Sequence, residues 1–311
     1  MISLKKTISQ ITLGMTLLTS IHLKAEQCNY RTTLIKGLET FSERQPTAEG
    51  MDSSLKAAQF FRLASTCNGA TPKQKAEALM HESSAYFYVG DVMPIKGPLK
   101  KLRMERLQKG ADIALEAASF IEEKDENGHI VPGRSLDPSN SKLLANIYYW
   151  YGASGARKAE TLGVVAALPQ WDKLQTYMGY IINMHKEGLI HQSEIEHYGA
   201  YRILGRAMFS IAQKGLTQIA SFEEALEKQE EAYKGTLDDY NEEGQKTSFN
   251  GLNNLYYAET LMELKRYQEA YVVLSNFVAV DPEELDPEHL PELQVEIAAA
   301  RLLLLKLKTM M

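Results

Sequence analysis

Residues 251–282, GLNNLYYAETLMELKRYQEAYVVLSNFVAVDP, decide the fold. The stretch reads as two helices in tandem, 247–264 and 267–280. Ala270 is small enough to let two antiparallel helices approach closely, and Pro282 ends the second one. The same helical period runs outward through almost every segment. Ala76, Leu79, Met80, Ser83 and Phe87 step by three and four along one face, as do Leu290, Leu293, Ile297, Ala300 and Leu304. Start signals agree. Thr71-Pro72-Lys73-Gln74 offers an N-cap, a proline at the first helical position and a glutamine at the third. Ser193-Glu194-Ile195-Glu196 and Ser221-Phe222-Glu223-Glu224 read as capping boxes. No run of period-two alternation is convincing. The expected fold is all-α, stacked helical hairpins of about ten or eleven helices, over 30–44, 53–66, 72–89, 98–123, 140–165, 170–186, 193–213, 221–234, 247–264, 267–280 and 289–309. The polar loop 124–139, KDENGHIVPGRSLDPS, is the longest break.

The chain has 311 residues, 44% hydrophobic and 24% charged, enough apolar material for a substantial core. Its formal charge of −6 gives no basic stripe for nucleic acid. Residues 1–25, MISLKKTISQITLGMTLLTSIHLKA, carry Lys5 and Lys6, a moderately apolar stretch, and a cleavage site after Ala25. This reads as a cleaved secretory signal peptide, since a spanning helix needs about 20 mostly apolar residues. Residues 26–311 then form one helical domain. Cleavage removes Lys5, Lys6 and Lys24 and no acid, taking the charge from −6 to −9. The two cysteines, Cys28 and Cys67, suggest one disulfide in an oxidising compartment such as the periplasm. The other reading of Cys28 is a lipid anchor. Ala25-Glu26-Gln27 before it lacks the small or aliphatic residues of a lipobox.

Tyr267, Ala270 and Pro282 fall where a tetratricopeptide repeat places Tyr, Ala and the closing Pro. SFEEALEKQEEAYKG, 221–235, resembles another second helix, with Ala225 in the Ala position. Stacked hairpins of this kind leave a face that binds peptides, proteins or ligands. The order of motifs is similar to a known family. RLQKGADIALEAASF (106–120) precedes SNSKLLANIYYWYGASGARKAETLG (139–163), then HYGAYRILGRAMF (197–209), then the two stretches above, then DPEHLPELQVEIAAARLLL (286–304). Over roughly 70–308 this resembles the T component of TRAP-type transporters, periplasmic proteins of degenerate tetratricopeptide repeats. The resemblance implies a non-enzymatic accessory protein that pairs with a periplasmic solute-binding protein. It also implies a small apolar ligand and a homo-oligomer, a trimer threaded by a pore. Members are often lipoproteins, and usually have a proline soon after the Leu-Gly motif. This chain departs on both counts, reading Ala207-Met208-Phe209-Ser210-Ile211-Ala212-Gln213 at the second. A general cell-envelope scaffold for protein assembly is the alternative.

Two clusters are candidate sites. In NIYYWYGAS, 146–154, the four aromatics turn through about 300° and cannot share one face. Trp150 goes with Ala153 and Arg157; Tyr148 goes with Tyr151 and Gly155. Some of these rings must pack between helices, while Tyr148 or Tyr151 can line a cavity. Gly152 and Gly155 allow a close neighbour. In Tyr201-Arg202-Ile203-Leu204-Gly205-Arg206, Arg202 and Arg206 share a face. They either bind a carboxylate with Tyr201 beside them or pair with acids such as Glu194 and Glu196. Gly205 reads as a packing residue. His185, His191 and His197 are spaced by six and do not make a metal site. No nucleophile elbow, zincin helix or phosphate loop is present, so neither catalysis nor a cofactor is expected.

Overall fold

The computed structural model describes residues 28–239, 246–285 and 290–311. The expected signal peptide lies outside the described residues. Among those residues, eleven helices of 13 to 22 residues carry the fold. They are α1 (Tyr30–Ser42), α2 (Ala48–Thr66), α3 (Pro72–Val92), α4 (Lys100–Ala118), α5 (Ser141–Leu162), α7 (Trp171–Lys186), α8 (Gly199–Ala212), α9 (Phe222–Lys234), α10 (Gly251–Glu263), α11 (Tyr267–Ala279) and α13 (Leu290–Lys308). Two single-turn helices, α6 (Val164–Ala167) and α12 (Pro282–Leu285), complete the set. The fold is all-α in hairpins. Most of the packing joins sequence neighbours, α1 to α2 and so on through α5, then α8 to α9 and α10 to α11.

Local chemistry sets the ends. The Thr71 hydroxyl accepts from Gln74 N while the Gln74 side chain accepts from Thr71 N, with Pro72 at the first position. Ser221 and Glu224 make the same reciprocal pair for α9. At the other end of α3 Met93 N donates to the Gly90 carbonyl at 3.3 Å, and the next helix adds to this cap. The buried Arg103 of α4 donates Nη1 to the carbonyls of Gly90, Asp91 and Met93 at 2.6–2.7 Å. Its Nε donates to Thr161 Oγ1 at 2.9 Å. These are carbonyls of the last turn, which have no partner four residues on along the helix.

The largest apolar cluster joins α3, α4, α5, α7 and α8 through residues such as Leu79, Ile113, Leu144, Ile147, Met178 and Ile181. A second joins α10, α11 and α13 through Leu261, Leu274, Phe277 and Ile297, with Ala270 fully buried. A third holds α1, α2 and α3 around Phe61. Cys28 is joined to Cys67 by a disulfide, Cα atoms 5.4 Å apart, tying the residues before α1 to the end of α2.

Several boundaries differ from those expected. The helix expected over 98–123 stops at Ala118, and the loop after it folds as a hairpin, β1 (Glu122–Lys124) against β2 (Ile130–Ser135). Asp125 turns the chain by accepting from the backbone N–H of Asn127 and His129, and Gly128 sits at φ +80°. A second short pair, β3 (Leu237–Asp239) and β4 (Lys246–Ser248), precedes α10, which starts at Gly251 behind an Asn250 cap. The helix expected at 53 starts at Ala48, capped by Thr47. The expected capping box at Ser193 is displaced: His191 and Glu194 form it, around a single 3-10 turn. Glu196, His197 and Tyr198 then take φ of 44°, 54° and 63°, which no right-handed helix permits, so α8 begins at Gly199. The helix expected over 140–165 breaks at Gly163, φ +95°.

Candidate functional site

The aromatic run lies on α5, and its rings separate by direction. Tyr148 is fully buried. Its hydroxyl donates to Glu122 Oε1 and accepts from Gly133 N at 2.7 Å. Its ring lies 5.0 Å from Tyr177 and 5.8 Å from Tyr180. Tyr148 therefore ties hairpin β1–β2 to α5 and α7 and, where a ligand-binding role was expected of it, is not among the residues lining the cavity described below. Burial pushes the Glu122 carboxyl up, opposed by the Tyr148 hydrogen bond. Trp150 packs against Phe87 and Tyr149, as a packing residue. Tyr201 is buried against Tyr198 and also lies off the cavity.

Tyr149 and Tyr151 do face a cavity of about 190 Å³. It opens where α4, α5, α7, α8 and α10 leave space between them, with the 164–170 segment across one side. The small residues Ala153, Ser154, Gly155, Ala156 and Ala159 of α5, with Ala111 and Ala207 opposite, are why the space exists. Gly155 was expected to admit a close neighbour. Instead, a Cβ there would meet nothing within 4 Å, so it lines the open space. Gly152 takes the close-approach role, against Met178, and Gly205 packs as expected, with Gln229 Cγ 2.6 Å from where its Cβ would stand. The remaining apolar wall comes from Phe87, Leu107, Val164, Leu168, Trp171, Leu174, Ile203, Ile211, Leu252 and Tyr256. Tyr149 is missed by the helical-wheel reading because it falls between the two faces assigned there. The run of small residues just after the aromatics is the signal that points to the void.

Charge at the wall is mostly positive. Arg157, Lys158, Arg202 and Arg206 line it, against the carboxylate of Glu160. Arg157 is neutralised by Asp91 at 2.9 Å and Glu160 at 3.0 Å. Arg206 pairs with Glu259 and lies 4.5 Å from the Tyr256 ring centroid. Lys158 donates to Gln108. Arg202 donates Nη1 to the His197 carbonyl and to Asn253 Oδ1, both at 3.2 Å, and Nη2 to Tyr149 Oη at 3.4 Å. These three acceptors are neutral and the bonds are long, whereas charge-assisted bonds run about 2.7–2.9 Å. Glu194, one acid expected to pair with this face, is held by Lys142 instead. Burial pushes the Tyr149 phenol up to about 12, opposed by Arg202. Its hydroxyl is thus protonated at neutral pH. The Ser154 hydroxyl, fully buried at the cavity wall, has no hydrogen-bond partner.

Such a pocket suits a small apolar body with an anionic end. A cavity of about 150 Å³ already accepts a benzene-sized solute. Among the described residues, no group of three or more His, Cys, Asp or Glu is placed to hold a metal ion. No described helix is long and apolar enough to cross a membrane. No protein-family model and no curated protein matches the chain.

Proposed function

We propose that this chain is a binding protein that receives a small amphipathic anion, a carboxylate on an apolar body, in the cavity between α5 and α8. One observation carries the reading: an aromatic-walled cavity whose buried Arg202 is bonded to neutral acceptors. A buried guanidinium is costly unless charge or strong hydrogen bonds compensate it, and a ligand carboxylate supplies both. The wall supports binding rather than catalysis, because its carboxylate, Glu160, is engaged by Arg157. The order of helical motifs adds the setting. By resemblance, the protein acts in the periplasm, after signal-peptide cleavage, as an accessory of a TRAP-type transport system that docks a solute-binding protein.

Isolation of the tagged mature protein from its native envelope, with mass spectrometry of co-purifying proteins and of extracted small molecules, tests both halves. A stoichiometric solute-binding protein together with a carboxylate is the expected result. Recovery of cell-wall or outer-membrane assembly proteins instead would replace the transport reading with the envelope scaffold.

A further inference from the structure

The turn before α8 is held in an unfavourable shape from inside the cavity. Glu196, His197 and Tyr198 are three consecutive residues with side chains in the left-handed region, where glycine alone is at ease. Main-chain bonds from Tyr198 N to Gln192 O at 3.0 Å and from Gly199 N to Ile195 O at 2.9 Å frame the turn. Its central carbonyl, His197 O, points inward and accepts from Arg202 Nη1 at 3.2 Å and from Asn253 Nδ2 at 3.3 Å. Arg202 thus belongs to two structures at once, the cavity wall and the turn.

The geometry sets these in competition. A carboxylate grips a guanidinium through two parallel bonds to neighbouring nitrogens. Both terminal nitrogens of Arg202 are already occupied, by acceptors that are neutral and 3.2–3.4 Å away. An anion in the cavity offers the same nitrogens shorter, charge-assisted bonds and displaces the weaker acceptors. The His197 carbonyl then loses the Arg202 bond and keeps the one from Asn253.

We propose that Arg202 is a ligand-operated latch: an anion in the cavity draws its guanidinium off the His197 carbonyl and releases the left-handed turn 196–198. The proposal rests on the reading of the cavity as an anion site. Coupling of this kind is reciprocal. Strain stored in the turn favours the bound state, so removing that strain in advance weakens the anion.

Octanoate serves as the probe, with octanol as a neutral probe carrying the same tail. Binding is read from the fluorescence of the two tryptophans, Trp171 at the cavity wall and Trp150 packed on Tyr149, and the turn from backbone hydrogen exchange over 195–199. Octanoate is expected to bind and to accelerate exchange in the turn, and octanol to leave it unchanged. The strain is tested by comparing Glu196→Gly with Glu196→Ala, which lose the same carboxylate and differ in their tolerance of a left-handed backbone. Octanoate is expected to bind about 5-fold more weakly to the glycine variant than to the alanine variant. Binding of octanoate with unchanged exchange at 195–199, or equal affinities of the two variants, overturns the latch and leaves the anion site standing. Failure of octanoate to bind the unaltered protein overturns both.

Discussion

Tyr148 and Tyr149 are adjacent in the chain and serve different ends. Tyr148 closes a buried bridge between Glu122 and Gly133, and Tyr149 faces the cavity beside Arg202. Tyr148→Phe leaves a buried carboxyl and a backbone N–H without their partner. It should cost about 1–3 kcal/mol in chemical denaturation while leaving octanoate affinity unchanged. Glu82 gives a pH signature. It is buried on α3 beside Arg62 Nε at 2.7 Å, and burial pushes its carboxyl up to about 7, against the pull of Arg62. The folded state therefore holds a proton that the unfolded chain has given up. Stability should fall as pH rises from about 4.5 to about 7 and then level off. Glu82→Gln removes that slope, since Arg62 keeps its two bonds to Glu116 at 2.6 and 3.0 Å. Denaturant midpoints of both proteins at several pH values check this. At this scale the sequence is least legible. Periodicity puts Tyr148 and Tyr151 on a common face, but a hairpin formed by residues 122–135 covers one and leaves the other in the cavity, and that hairpin has no strand-like pattern of its own.

Elements were more legible, because a helix announces its face and its caps locally. The boxes at Thr71 and Ser221 stand where expected. The one at Ser193 does not, because His191 competes for the same hydroxyl, its Nδ1 lying 2.6 Å from Ser193 Oγ. Two glycines that read alike in sequence separate by what surrounds them. Gly155→Ala adds a methyl group to open space within α5. It should stabilise the helix by about 0.5–1 kcal/mol, since glycine is the poorer helix former, and weaken octanoate by narrowing the cavity. Gly205→Ala drives a methyl group toward Gln229 Cγ at 2.6 Å and the Ala225 carbonyl at 3.1 Å. It should destabilise the α8–α9 contact by about 1–3 kcal/mol. Thermal melting paired with octanoate titration separates the two cases: the first variant gains stability and loses ligand, the second loses stability.

At the scale of the whole molecule, helices that pack mainly on sequence neighbours make an array whose ends are its weakest points. The disulfide secures one end. It joins residues 39 apart, and loop closure of that length is worth about 4 kcal/mol to the folded state. Cys28→Ser with Cys67→Ser should lose stability of that order and accelerate hydrogen exchange in α1 and α2 more than in α10 and α11. The all-α class is legible here because periodicity is summed over many segments. The cavity is not, since its wall is gathered from residues between Phe87 and Tyr256 that no local pattern brings together. One contact also bears on the order in which the molecule is made. The last carbonyls of α3 are closed by Arg103, which belongs to the following helix. At ribosomal speed, the chain from Val92 to Arg103 takes on the order of a second to emerge. Through that interval the last turn of α3 has its own Met93 N–H bond to the Gly90 carbonyl and lacks the three from Arg103, so its final turn is completed by the arrival of its successor, and the nascent array matures one helix behind synthesis.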